Sequence, residues 1–106
     1  MVKRILTDAG FTENVDFRET RFLKPPRITY AVYMDSYERR GADGLNLITD
    51  HDYTIELYAY QPDANAEKRI ENALDAAGIE YEKQDRYWLN DEGLYQTIYT
   101  FNHVEK

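Results

Sequence analysis

Asp50-His51-Asp52 is the one place where this chain gathers side chains of the kinds that hold metal ions or move protons. A closed metal site needs ligands spaced so that their donor atoms converge. Immediate neighbours diverge instead, and Asp and His in such a cluster more commonly serve turn geometry. No metal is therefore expected there, and the other histidine, His103, lies near the C-terminal end. Nucleophilic chemistry has less to work with. Ser36 is the single serine and has no G-x-S-x-G elbow around it, and there is no cysteine. The five glycines are scattered, and Gly41-x-x-Gly44 lacks the Lys-Ser/Thr pair that completes a phosphate loop. Glu80 and Glu82 share a strand face, but among twenty acidic residues such a pair is a coincidence better read as a solvated edge. The reading is of a non-enzyme, with no catalytic residue and no cofactor.

Charge and aromatic content direct attention to surfaces. The formal net charge is −7, yet residues 1–40 hold eight basic and six acidic side chains while residues 41–106 hold five and fourteen, a split of +2 against −9. Nucleic acid should be repelled by most of such a surface, since affinity for phosphates needs clustered Lys and Arg. The one basic concentration, Arg39-Arg40 with Arg18, Arg21, Lys24 and Arg27, has no interleaved aromatics on which bases could stack. Salt bridges to an acidic surface on another copy are an equally good use for it. Acidic residues also simply keep small proteins soluble. Ten tyrosines against one tryptophan and four phenylalanines suit surfaces that are wet in one state and buried in another, although tyrosine also fills half-buried sheet faces.

The elements that must position these residues follow from periodicity. Val2, Ile5, Leu6 and Ala9 recur at helical spacing before Gly10, which predicts a short amphipathic helix over 2–9. A short edge strand falls near 15–18, and Pro25-Pro26 forces an extended lead-in. "RITYAVYMD" alternates as a strand with Ile28, Tyr30, Val32 and Met34 on one side and Tyr33 on the other, followed by a polar loop "SYERRGADG" with Arg39-Arg40 at its tip. "LNLIT" and "YTIELYAY" read as a hairpin turning near Asp50 to Asp52. Ala66, Ile70, Ala73, Leu74 and Ala77 define the clearest helix, capped by Asp63 or Asn65 and closed by Gly78, with Glu67, Lys68, Glu71 and Asp75 on its solvated side. "IEYEK" resumes alternation, and "RYWLNDEGLYQTIYTF" reads as two strands around a turn at Asn90 to Gly93.

The fold class expected is α+β, one mostly antiparallel sheet with two helices packed on one face. The 106 residues form a single domain, with the N-terminal helix and lead-in over 1–27 and the sheet and main helix over 28–103. No apolar run of membrane-spanning length and no secretory h-region occurs, so a soluble, unsecreted chain without a membrane partner is expected. The strand Tyr53 to Tyr60 would send Ile55 and Leu57 to the core and Tyr58 and Tyr60 outward, leaving Tyr33, Tyr58 and Tyr60 on a face that no helix covers.

"GADG" before a hairpin, "DYTIELYAY", a helix ending "LDAAGIEYEK", and "LYQTIYTF" closing the chain resemble small prophage-encoded proteins of phages with long non-contractile tails. These look like tail-terminator or tail-completion proteins at the head-tail junction. The resemblance spans about residues 28–101 and does not extend to the N-terminal region through "LKPPR". It implies an α+β fold assembled into a ring, usually of six copies, through which DNA passes. It also implies a tail tube protein and a head-connector protein as partners, and residence in the host cytoplasm before the virion neck. On that reading Tyr33, Tyr58, Tyr60, Arg39 and Arg40 are interface residues. The rival is a small acidic phage-encoded inhibitor that mimics DNA and binds a host protein, against which stands the lack of any periodic spacing of carboxylates. A third reading is a plain structural monomer whose outer tyrosines only decorate its rim.

Overall fold

A computed structural model describes residues 1–40 and 48–105, the side chains of Arg39, Arg40, Ile48 and Glu105 excepted. In chain order the elements are α1 (Val2–Asp8), β1 (Phe17–Glu19), β2 (Tyr30–Arg40), β3 (Ile48–Ala59), α2 (Ala64–Ala76), β4 (Glu82–Lys83), β5 (Tyr87–Leu89) and β6 (Leu94–Glu105). The strands form one mixed sheet of six in the order β1-β2-β3-β6-β4, and β5 shares with β4 the outer side of β6. β1 runs parallel to β2, whereas the other pairings are antiparallel. This is the α+β class expected. Among the described residues no helix is long and apolar enough to cross a membrane.

Both helices bury the stripes that their spacing marks. α1 contributes Val2, Ile5 and Leu6, and α2 contributes Ala66, Ile70, Ala73 and Leu74. They meet Ala31 and Tyr33 of β2, Tyr53, Ile55 and Leu57 of β3, and Tyr99 and Phe101 of β6 in one core cluster. Burying each of the larger aliphatic side chains contributes about 1.5–3 kcal/mol. Asp63 caps α2 by accepting from the Ala66 backbone N–H at 3.0 Å, and the Thr29 hydroxyl donates to its other oxygen at 2.7 Å. Those two hydrogen bonds hold the Asp63 carboxyl below the usual carboxylate range. The helices are tied together at Gly10, whose φ of +95° lets α1 end and whose missing side chain leaves room for Arg69. A Cβ there would lie 2.8 Å from Nη1 of Arg69, which donates to the Ala9 carbonyl at 3.1 Å while its guanidinium lies over the Phe11 ring.

Four expectations are corrected. Tyr33 lies on the helix face, because the register Ala31↔Leu57 and Tyr33↔Ile55 puts the odd positions of β2 with the odd positions of β3. Both phases of this strand are apolar, so alternation alone favours the bulkier set, Tyr30, Val32 and Met34, which in fact faces away from the helices. No turn interrupts Asp50 to Asp52: β3 runs straight through them, paired with Glu38 to Ser36 on one side and Val104 to Asn102 on the other. Ser36 to Arg40 are strand rather than loop, and the "GADG" tip at 41–44 lies outside the described residues. Glu67 is 5% exposed rather than solvated.

Candidate functional site

The three long strands outrun the helices. At about 3.3 Å per residue the twelve residues of β3 span about 40 Å, whereas the thirteen of α2 span about 20 Å. The molecule is accordingly elongated, 50 × 29 × 24 Å. What extends beyond the helices is a three-stranded arm made of Asp35–Arg40, the first five residues of β3, and Asn102–Glu105. Its two surfaces differ.

On the helix side of the arm, an aromatic row continues the core outward. Tyr53 packs against Phe101, His51 stacks on Tyr53 with ring centroids 5.2 Å apart and planes within 4°, and Tyr37 lies 5.8 Å from His51. The His51 Nδ1 is 2.8 Å from an oxygen of Asp35, and His103 occupies the cross-strand position beside His51. On the opposite side, the Asn102 amide donates to Asp50 at 2.6 Å, to Asp52 at 3.0 Å and to the His51 carbonyl at 3.1 Å. Strand alternation thus sends His51 to one surface and Asp50 and Asp52 to the other, and each finds a cross-strand partner. Among the described residues no group of three or more His, Cys, Asp or Glu is placed to hold a metal ion.

The sheet face away from the helices is covered at its other end by the chain's own lead-in. Phe22 meets Tyr30 edge-on at 5.6 Å, Tyr30 stacks on Tyr58 at 5.2 Å, and Val32, Met34 and Leu94 complete the cluster. The half-buried Tyr58 donates to Glu56 at 2.8 Å and accepts from Gln96 at 2.9 Å. Burial, with the Glu56 carboxylate beside it, raises the pKa of this phenol. Tyr60 is 41% exposed and donates to the Pro26 carbonyl at 2.9 Å. Of the surface tyrosines expected, then, Tyr58 lies on the second face against Tyr30, Glu56 and Gln96, Tyr60 follows the end of β3 and bonds to the lead-in at Pro26, and Tyr33 lies on the helix face. Arg39 and Arg40 end β2, and their side chains lie outside the described residues.

One polar centre is absent from the sequence-based reading. The buried carboxylate of Glu67 accepts from Arg86 and, at 3.0 Å, from Lys83, with the Thr97 hydroxyl at 3.4 Å. Burial opposes its ionisation, but the bonds and charges of Arg86 and Lys83 outweigh that and hold the carboxyl below the usual range. Beside it Tyr99, fully buried, donates to Glu71 at 2.7 Å. The centre clamps α2 to β4 and to the segment leading into β5, and its charges neutralise one another internally. Its signal in the sequence is spacing: Glu67 precedes Ile70 by three and Leu74 by seven, which puts it on the apolar side of the helix. Comparison with known proteins finds no family model that matches this chain and no curated protein that matches it.

Proposed function

We propose that the protein is a non-enzymatic structural component of a long-tailed phage, a tail terminator or tail-completion protein that forms a ring at the head-tail junction. The observation that carries this reading is the half-covered sheet. Three strands run about twice the length of the helix covering them, so about half of their length has no helical cover. Tyr37 is 59% exposed and Val104 42% exposed on that arm. Aromatic and aliphatic groups held out on a three-stranded arm suit burial against other subunits. The resemblance of residues 28–101 to tail-completion proteins supplies the phage context, with the ring itself, the tail tube protein and the head-connector protein as partners. The chain resides in the host cytoplasm before assembly and in the virion neck after it.

The test is assembly. Light scattering over a range of concentrations, alone and with the tail tube protein of the same phage, should show a ring-sized species. Loss of the gene should leave filled heads and tails unjoined. A chain that stays monomeric in both conditions and whose loss leaves joined particles would sink the reading.

A further inference from the structure

We infer that copies of this chain associate head to tail through the two outer edges of the sheet, the β1 edge of one copy meeting the β4–β5 edge of the next. This rests on the assembly reading above and adds to its uncovered arm a second pair of surfaces, through which neighbouring copies meet.

The argument begins with which charges are already satisfied. Lys3 pairs with Glu13, and Lys83 and Arg86 pair with Glu67. Among the described residues Arg18 and Arg21 have no ion pair or side-chain hydrogen bond, and neither have Glu82 and Asp85. The cations lie on and just after β1, and the anions lie on and just after β4. Strand order places β1 and β4 at opposite margins of the sheet. On the face away from the helices Arg18 therefore borders one edge and Glu82 the other, while Glu19, next to Arg18 on β1 and level with Tyr33, puts a carboxylate on the helix-side face of the same edge.

Register places Arg18 and Glu82 on the same face, two residues apart in height. Arg18 is level with Val32, Val32 with Glu56, and Glu56 with Ile98, whereas Glu82 is level with Thr100. Two residues along β6 separate the two levels, about 7 Å. Arg18 shares the face of Val32 and Glu82 that of Thr100, which is the face away from the helices in both cases. A neighbouring copy brought alongside in the same orientation leaves Arg18 and Glu82 about 7 Å apart in height, an offset that the length of the two side chains has to span.

Each edge also holds an exposed apolar group. Trp88 on β5 is 45% exposed although its ring packs on Tyr95, and Val15, in the turn that flanks β1, is 57% exposed. Tryptophan, with tyrosine and arginine, is enriched among the residues that carry binding energy at protein interfaces. Side chains rather than backbone must make this contact. The outward N–H and C=O of Phe17 are already used by Thr12 and Asn14, so β1 does not accept another strand there. Because the two edges differ, the contact is heterologous, and repetition gives a closed ring or an open filament rather than a two-fold dimer.

Two charge-reversed proteins test this. One carries Arg18→Glu with Arg21→Glu and so has two acidic edges. The other carries Glu82→Arg with Asp85→Arg and has two basic edges. Each should stay folded by circular dichroism, since all four side chains are exposed. Each alone, or with wild-type tail tube protein, should self-associate about tenfold more weakly or worse. An equimolar mixture of the two should recover the assembled species, because acidic edges again meet basic ones. Assembly of each variant at wild-type concentrations, or a mixture that stays dissociated, overturns the edge pairing while leaving the assembly reading in place. Wild-type protein that is monomeric under every condition overturns both.

Discussion

Glu67 shows how a residue read as surface becomes part of the framework. It sits among α2 residues that the sequence marks as core, and Lys83 and Arg86 arrive from sixteen and nineteen residues further on. Periodicity reports which side of a helix is apolar, but not which distant cation will reach back to it. Its carboxyl is held below the ordinary value, so its contribution to stability is complete above the unfolded-state value of about 4.3 and is lost as pH falls through the folded value. Denaturant titrations between pH 7 and pH 3 should show that loss in the wild type and a flatter acid limb in Glu67→Gln. At neutral pH the substitution should cost about 1–3 kcal/mol, since hydrogen bonds to charged groups are the strong ones. An unchanged acid limb would mean that the carboxylate is not held as described. Tyr58 gives a second residue-scale expectation. It stacks on Tyr30 and bonds to Glu56 and Gln96, so Tyr58→Ala should destabilise the subunit by more than the ~0.5–1.5 kcal/mol assigned to an aromatic pair alone. Tyr58→Phe should cost less than about 1 kcal/mol, because a single partly exposed hydroxyl is lost. Equal losses in the two variants would place the stabilisation in the hydroxyl rather than the ring.

At the scale of elements, the helices and the β5–β6 hairpin were legible because local signals and tertiary contacts agree there. Gly10 and Gly78 stop α1 and α2 in left-handed conformations, Asp63 caps α2, and Gly93 at φ +66° turns β5 into β6. The β2–β3 ribbon was misread where the two disagree. Asp50, His51 and Asp52 have turn chemistry, yet Asp35 and Asn102 satisfy them from neighbouring strands, and pairing on both sides overrides local preference. Only a partner distant in sequence carries that information. The resulting arm has backbone hydrogen bonds without helical cover, which predicts a gradient of protection. Amide exchange should be slowest around Ile55, Leu57 and Tyr99 and faster by orders of magnitude at Ser36, Asp50 and Asn102 in the isolated subunit. Leu74→Ala, which hollows the covered half at a cost of about 2–5 kcal/mol, should speed exchange at the slowest sites far more than on the arm. Uniform protection along β3 would show that the arm needs no cover. Burial of the arm against a partner, as distinct from the edge pairing of copies, should slow the fast group selectively.

For the whole molecule, the distribution of charge matters more than its sum. A net of −7 spread evenly would make copies repel one another at every approach. Sheet order instead places Arg18 of β1 at one margin and Glu82 of β4 at the other, and the edge pairing inferred above turns that placement into attraction between unlike edges. The split of +2 against −9 is visible in the sequence, but its meaning depends on which strands are outermost, and that was not legible because β4 and β5 are two and three residues long. Salt separates this attraction from the subunit's own stability. Exposed charges lose most of their interaction as the Debye length shrinks from about 10 Å at 0.1 M to about 3 Å at 1 M, whereas partly buried pairs such as Glu67 with Lys83 are screened much less. Sedimentation in 0.1 M and 1 M sodium chloride should therefore show association weakening at the higher salt, while denaturant titrations in the same buffers show little change in unfolding midpoint. Association that strengthens with salt would instead identify apolar contacts, with Trp88 and Tyr37 the first side chains to truncate, as the dominant force between copies.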